Sequence, residues 1–267
     1  FQIGGLGIMT AATLLGLAAG RRLSLSSQAI ALTEHGHLNR AEARSLIKLV
    51  LVVSVVIEAV VALVLWLRWH LGHQMDAGEA AWHAVFHSVS AFNNAGFSTF
   101  SDSLMGWSGD AVILLPIMAA IVIGGIGFPV LHEVWTRARN DRRFTPWSLH
   151  SRITLSVTAL LLLLGTVLML AAEWTNTATF GPMSWGERVL NAAFHSVSMR
   201  TAGFNAIDMS ALADQSLSIN YLFMIIGGGS AGTAGGLKVT TFALLGFVVS
   251  SEIRGRRDTV IFGRRVG

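Results

Sequence analysis

The sequence predicts an all-α integral membrane protein built from a repeated unit of long helix, short helix, glycine turn and long helix. The 267 residues are 52% hydrophobic and 13% charged, against about 25% charged residues in a typical soluble domain. The segment FHSVS at residues 86–90 recurs at 194–198, and AGF follows each copy, at 95–97 and 202–204. Long apolar segments flank each copy, so the repeat lies in a chain whose solvent is a bilayer.

The positive charge is concentrated in three short runs. Fifteen of the 19 Lys and Arg residues fall at 21–48, 137–152 and 254–265. Such runs mark cytoplasmic loops. A basic nucleic-acid surface is the alternative reading of the net charge of +4, but membrane-length segments separate the runs. The chain has no cysteine, which excludes a disulfide framework and a thiolate metal site within it.

The length of each apolar segment predicts its role. A span needs about 20 residues, and a helix at 79–92 would be only about 21 Å long at 1.5 Å per residue. It is therefore either re-entrant, entering and leaving the membrane on one side, or outside the membrane, and the spans on either side of it favour the re-entrant interpretation. The predicted elements in order are a span at 1–19, a cytoplasmic connector at 23–48, a span at 49–67, an outer loop at 68–78, the short helix at 79–92, a turn at 93–98, a span at 110–135 and an inner loop at 137–146.

The same order then repeats. Residues 217–249 are too long for one straight span and contain six glycines between 227 and 236. A break in mid-membrane is tolerated only where it is buried in protein or faces water. The predicted elements are a span at 153–172, an outer loop at 173–185, a short helix at 186–199, a turn at 200–205 and the interrupted segment at 217–249.

Three of these segments together resemble the Trk/Ktr/HKT superfamily of potassium transporters. They are NAGF at 94–97, RTAGFN at 200–205 and the glycine-rich residues 227–238. The resemblance implies repeated helix–pore-helix–helix units around a pseudo-four-fold pore, incomplete in this chain. It implies that residues 1–48 hold the last helix of repeat one and a connector, 49–150 repeat two, and 151–267 repeat three. The first filter segment and the fourth unit would lie outside these residues.

The two turns are predicted to form part of a selectivity filter. A cation entering low dielectric needs its hydration shell replaced, and backbone carbonyls do this. We expect K⁺ at the backbone carbonyls of Gly96 and Gly203, and the resemblance implies that glycine here favours potassium over sodium. An ordinary glycine-containing outer loop is the alternative. The predicted filter residues are Asn94, Ala95, Gly96, Phe97, Thr201, Ala202, Gly203 and Phe204.

The glycine-rich segment is expected, by resemblance, to be an intramembrane gate loop below the filter. Its G-x-G-x-x-G spacing would suggest a dinucleotide site, but that site needs a preceding strand and a βαβ unit. Close helix packing through small residues is a second alternative. Ser230 and Thr233 are expected to bond freed backbone groups. The predicted gate residues are Gly227, Gly228, Gly229, Ser230, Ala231, Gly232, Thr233, Ala234, Gly235, Gly236 and Lys238.

Several single residues carry their own expectations. Glu58 is the one acid within a predicted span, and a hydrogen bond to a pore helix is favoured over a proton-coupling role. His87 and His195 occupy equivalent repeat positions, where a local hydrogen bond is favoured over metal ligation. Arg200 is expected to hold its turn through a salt bridge, and Lys238 to anchor the loop near the cytoplasmic end.

Acidic residues follow the turns on the outer side. Asp102, Asp110 and Asp208 either raise the local cation concentration or belong to solvated loops.

The resemblance implies potassium uptake rather than an enzyme activity, with K⁺ as the transported ion and no cofactor in this chain. It also implies a homodimer in the lipid bilayer, cytoplasmic nucleotide-binding regulatory subunits, no nucleic-acid partner and a multi-pass, bacterial inner-membrane location. Two alternatives stay open. One is the membrane subunit of a nucleotide- or redox-linked enzyme complex. The other is a sodium- or proton-coupled symporter of the same fold.

Overall fold

A computed structural model describes residues 1–5, 40–139, 146–255, 259–261 and 264–266. Most of the predicted span at 1–19, most of the connector at 23–48 and most of the inner loop at 137–146 therefore lie outside the described residues. Within them the chain is nearly all helical, as predicted. The helices are α1 (Arg40–Leu67), α2 (Ala77–Phe92), α3 (Ala111–Ile126), α4 (Phe128–Arg139), α5 (Leu149–Glu173), α6 (Trp185–Val197), α7 (Asp214–Ile225) and α8 (Val239–Ile253).

Shorter elements complete the described chain. Two π-helical turns continue α1 and α6, and two 3₁₀ turns lie in the loops after the short helices. An antiparallel hairpin of β1 and β2, which the sequence analysis did not predict, follows α8. These elements are Arg68–Gly72, Ser198–Ala202, Met105–Trp107, Met209–Ala211, β1 (Thr259–Ile261) and β2 (Arg264–Val266).

Two long helices of the described chain can cross a membrane by length and hydropathy. They are the segment Val50–Gly72 and the helix Leu149–Glu173, and they contain the predicted spans at 49–67 and 153–172. The first span is longer than predicted, since π-helical turns occupy the start of the expected outer loop. Many large apolar side chains on these helices are exposed, among them Val55, Leu63 and Leu163. Such surfaces suit contact with lipid.

The span predicted at 110–135 is not one continuous helix, because α3 and α4 meet at a bend of 103°; together the two helices are long and apolar enough for one broken span. The bend lies at Gly127, whose φ is +97°. A Cβ added there would lie 2.2 Å from the carbonyl oxygen of Ser230. The gate loop therefore occupies the space that a continuous helix would fill, and a glycine permits both the contact and the left-handed backbone.

The two short helices agree with their predictions to within two residues. Helix α2 has 16 residues, which is about 24 Å at 1.5 Å per residue and too short to cross a hydrocarbon core of about 30 Å. The chain then returns to the level of its entry. Arg68 at the end of the first span bonds Asp110 at the start of α3, with Nε and Oδ2 2.7 Å apart. Helix α2 is therefore re-entrant, as predicted.

Both short helices begin with a side-chain cap. Asp76 accepts from the backbone N–H of Gly78 at 2.9 Å, and Ser184 forms a capping box with Glu187. Such caps satisfy donors that no helical carbonyl can reach. The main hydrophobic core then joins the two repeats, since it includes Phe92 of one and Phe204 of the other.

Candidate ion filter and gate loop

Each short helix ends in a turn whose glycine has a left-handed backbone. Gly96 has φ +70° and Gly203 φ +87°. The two turns are in contact, because a Cβ added at Gly96 would lie 1.8 Å from the carbonyl oxygen of Ala202. The structure therefore brings both predicted filter segments to one place. Glycine is required at Gly96 for space as well as for torsion.

Two serines of the short helices fix these turns, and sequence reasoning did not assign them a role. Ser90 donates through Oγ to the carbonyl of Phe97 at 2.8 Å, and Ser198 donates to the carbonyl of Phe204 at 2.6 Å. Both serines end the repeated FHSVS segment, so the repeat itself was the available signal. Each bond ties the far end of a turn to its own helix, which limits the directions its carbonyls can take.

A side-chain bond joins the two turns directly. Thr201 donates through Oγ1 to Oδ1 of Asn94 at 2.8 Å. These residues occupy equivalent positions in the two repeats. A second link lies farther along, where the backbone N–H of Leu104 donates to the carbonyl of Asn205 at 2.8 Å. The two filter segments therefore cannot move independently.

The predicted gate loop lies between α7 and α8 and packs into the break between α3 and α4. Its amides take the carbonyls that the broken helix leaves without partners. The N–H of Gly229 donates to Gly125 at 2.8 Å, and that of Thr233 donates to Gly124 at 3.0 Å. A Cβ added at Gly229 would lie 1.9 Å from the carbonyl oxygen of Ile126. Glycine is therefore required at position 229 because the loop lies so close to the backbone of α3, and this requirement holds whether or not the loop moves.

Among the described residues, Arg200 does not form the expected salt bridge with a carboxylate. Arg200 is buried and lies in the π-helical turn Ser198–Ala202, upstream of Gly203. Its guanidinium donates to the carbonyl of Ile226, with Nε 3.4 Å away, and to that of Gly227. These carbonyls follow the C-terminal end of α7, where a helix carries partial negative charge. The guanidinium therefore links the second filter turn to the start of the gate loop.

The gate-loop side chains behave in different ways. Thr233 donates to the carbonyl of Phe92 at 2.9 Å, so it satisfies a backbone group at the end of α2 rather than one freed by the break in its own segment. Ser230 does not, since its Oγ lies 3.2 Å from Oγ1 of Thr240. Lys238 donates through Nζ to the carbonyl of Ala234 at 2.7 Å, so this hydrogen bond joins two residues of the same loop.

The expected hydrogen bond of Glu58 to a short helix is confirmed. Its carboxylate accepts from Nδ2 of Asn93 at 3.3 Å and from Nε2 of Gln2. Ser88 of α2 also donates to the main-chain carbonyl of Glu58 at 2.7 Å. An acid buried in an apolar span is tolerated when it is bonded in this way.

Both repeat histidines form the local hydrogen bonds that were expected. His87 has Nε2 2.8 Å from Oγ of Ser98, and His195 has Nε2 2.7 Å from Oδ1 of Asn220. Among the described residues no group of three His, Cys, Asp or Glu side chains could hold a metal ion.

The outer acids hold loop structure. Asp110 accepts from Arg68 and from His73, each at 2.7 Å. Burial raises the pKa of Asp110, but the hydrogen bonds from His73 and Arg68 outweigh it and hold the pKa below its ordinary value of 3.8. Asp102 accepts from the N–H of Gly106, and Asp208 from that of Ser210.

Two cavities lie between the predicted filter turns and the glycine-rich loop. One, of about 30 Å³, is lined by residues that include Asn94, Thr201 and Gly228. It has room for about two water molecules. The other, of about 370 Å³, is lined by residues of the second turn and of the loop, among them Thr201, Gly203 and Gly236.

These features define a class of membrane protein in which re-entrant helices carry glycine turns above a broken, glycine-rich helix. The family model of the TrkH cation transport proteins matches residues 1–266. The chain belongs to the TrkH family, which confirms the resemblance to the Trk/Ktr/HKT superfamily. It is therefore a member of a family of membrane transporters.

Curated relatives match almost the whole chain. It is 39% identical over 265 residues to the Ktr system potassium uptake protein B of Vibrio alginolyticus, covering 99% of this chain and 57% of that one. It is 35% identical over 268 residues to the potassium/sodium uptake protein NtpJ of Enterococcus hirae, covering 99% and 57%. The chain thus spans somewhat over half the length of these relatives.

A solved structure matches the fold. The crystal structure of the potassium transporter TrkH from Vibrio parahaemolyticus superimposes with a TM-score of 0.69 at 22% identity, over 99% of this chain and 50% of that chain. The predicted fold class is confirmed by this match.

Proposed function

We propose that this chain contributes to a pore for potassium uptake across the cell membrane. The observation that carries the proposal is the contact between two repeat-related glycine turns, Gly96 against Ala202 and Gly203. Two unrelated outer loops would not be expected to share a glycine with a left-handed backbone and an end that is fixed by a serine hydroxyl, or to be joined by a side-chain hydrogen bond. Of the relatives named above, one is named a potassium uptake protein and the other a potassium/sodium uptake protein, which supports potassium as the ion.

The ion would be held by main-chain oxygens. Carbonyl groups near Gly96 and Gly203 would replace part of the hydration shell of K⁺, and the C-terminal ends of α2 and α6 would add favourable negative potential. The flanking residues Asn94, Ala95, Phe97, Thr201 and Phe204 would set the direction of these carbonyls. Further filter segments would come from chain beyond these residues, as would the pseudo-four-fold closure of the pore.

The glycine-rich loop would close this pore on the cytoplasmic side. Its hydrogen bonds to the carbonyls at the break between α3 and α4 support a closed state. We assign residues 1–48 to the end of repeat one, 49–150 to repeat two and 151–267 to repeat three. The full protein would act as a homodimer in a bacterial inner membrane, under cytoplasmic nucleotide-binding subunits, with no catalytic step.

A second function is favoured by one observation. The relative from Enterococcus hirae is named as a potassium/sodium uptake protein, so sodium transport or sodium-coupled symport is the competing proposal. The ratio of potassium to sodium flux, and its dependence on voltage, separates the two.

The test is rubidium uptake into proteoliposomes that contain the full-length protein, with potassium, sodium and lithium as competitors. We expect competition by potassium and not by sodium. Gly203→Ser should weaken this preference, because serine strains a left-handed position within the filter. Gly186→Ser is the matched control, since a Cβ there has no heavy atom within 4 Å. No uptake by the wild type, with or without cytoplasmic extract, would remove the pore proposal.

A further inference from the structure

The hydroxyl of Thr233 binds the gate loop to the first filter turn. It donates to the carbonyl of Phe92 at 2.9 Å and accepts from Nδ2 of Asn94 at 2.8 Å. Phe92 is the last residue of α2, so its carbonyl has no partner within the helix. Without water, an unpaired carbonyl at membrane depth is costly. The gate loop therefore satisfies a group that belongs to the filter support.

Asn94 extends this contact to the second filter turn. The same amide that donates to Thr233 also donates to the carbonyl of Ile121 in α3 at 3.1 Å. Its Oδ1 accepts from Thr201. Asn94 has φ +51°, a backbone that asparagine tolerates better than most residues but that still carries strain. One side chain thus touches both filter turns, a spanning helix and the gate loop.

We propose that the hydrogen bonds of Thr233 to Asn94 and Phe92, here called the Thr233 contact, hold the gate loop closed and couple its release to the geometry of the filter. The proposal rests on the proposed function, because it assigns a regulatory contact within the same pore. When the loop moves away, water has to replace the hydroxyl at both filter groups. The freed amide of Asn94 then changes the support that Asn94 gives to Thr201.

The first experiment removes the hydroxyl and keeps the shape. Thr233→Val in the full-length protein loses both bonds, each of which favours the closed state. We expect basal rubidium uptake, without added cytoplasmic protein, to rise by about 5- to 30-fold, the factor that corresponds to one or two hydrogen bonds. The ratio of sodium to potassium uptake should rise as well. Thr233→Ser keeps the hydroxyl and should restore both quantities to wild-type values.

Thr166→Val is the matched control. Thr166 is half-buried, and its hydroxyl donates to the carbonyl of Leu162 at 2.7 Å within its own helix, α5. The substitution is chemically the same, and we expect uptake and selectivity to stay at wild-type values. An equal rise in this variant would show that any lost hydroxyl loosens the protein.

A second measurement does not depend on transport. The 267 residues contain no cysteine, and a side chain at Gly235 meets no heavy atom within 4 Å, so Gly235→Cys places a reporter in the gate loop. Its rate of reaction with a water-soluble maleimide should increase by about the same 5- to 30-fold when Thr233→Val is added. Asn94→Gly, which removes one of the two partners and relieves the left-handed strain, should raise the rate by a smaller factor, and the combined variant should react no faster than Thr233→Val alone.

The two readouts separate the two proposals. Absence of uptake in the wild type overturns the pore, while the maleimide rate still decides the Thr233 contact. Wild-type maleimide rates in both Thr233→Val and Asn94→Gly would overturn the contact even if uptake is intact. If Thr233→Val fails to fold, Asn94→Gly against wild type makes the same decision.

Discussion

The two filter glycines should respond differently to the same substitution. Gly96 and Gly203 both have a left-handed backbone, so alanine should cost about 1–2 kcal/mol at each position from torsion alone. Their surroundings differ. A Cβ at Gly96 would lie 1.8 Å from the carbonyl oxygen of Ala202, whereas at Gly203 the nearest heavy atom is 4.0 Å away. A carbonyl of the main chain cannot move aside without moving its whole turn.

We therefore expect Gly96→Ala to cost a further 1–3 kcal/mol or so, the usual range for forcing atoms into filled space. The measurement is the thermal stability of the purified full-length protein, with rubidium uptake and its inhibition by sodium recorded on the same samples. Gly203→Ala should keep uptake and lose part of its selectivity, while Gly96→Ala should lose uptake.

Gly246→Ala is the control for these two variants. Gly246 lies within α8 and a Cβ there meets no heavy atom within 4 Å. Alanine is favoured over glycine in a helix interior by about 1 kcal/mol, so stability should be unchanged or slightly higher. Equal losses in Gly96→Ala and Gly203→Ala, or a larger loss at Gly203, would refute the contact between the two turns.

Three further predictions concern residues that hold the site. Arg200→Gln should raise basal rubidium uptake several-fold, because a neutral amide would replace the charged donor to the carbonyls of residues 226 and 227 and would bind them less strongly. Wild-type uptake in Arg200→Lys would show that the positive charge alone is sufficient. Glu173→Ala should lower the stability by about 2–4 kcal/mol. The buried carboxylate of Glu173 accepts from four donors, including the N–H of Ala213 at the start of α7. A melting temperature within error of the wild type would contradict this prediction. The folded-state pKa of Asp110 lies below 3.8, so the stability that its carboxylate contributes is fully present above pH 3.8 and is lost as the pH falls through the folded-state pKa. Asp110→Asn should lower the stability by about 1 kcal/mol at pH 7, where Arg68 and His73 are partly screened, and should reduce the dependence of stability on pH below 4. An unchanged pH dependence in this acid range would refute the role of Asp110.

Repetition and hydropathy predicted much of the fold, for a physical reason. The length of a span is set by the bilayer, and the short helices were recognisable because they cannot reach across it. The repeated FHSVS and AGF segments located both filter turns within a few residues. The glycine-rich loop was equally visible, since six glycines in ten residues exceed what helix packing needs.

Contacts between distant segments could not be predicted in the same way. The bend between α3 and α4 has a local signal in Gly127 and in Pro129, since a proline in a helix interior removes a hydrogen bond and kinks the helix, but these residues do not show which segment fills the break. That segment is the gate loop, whose amides at Gly229 and Thr233 take the carbonyls of 125 and 124. No pattern within residues 110–135 contains that information.

Arg200 shows the same limit from the side of charge. Sequence reasoning expected a salt bridge at Arg200, because a cation on the pore axis would repel the transported cations. Within the described residues, the partners of the guanidinium are instead the carbonyls that follow α7, which are partly negative because of their position at a helix end. Such a partner has no residue type, so no sequence pattern marks it. These bonds join the turn before Gly203 to the start of the glycine-rich loop, and under the proposed function the position of the filter would therefore depend on the position of the gate.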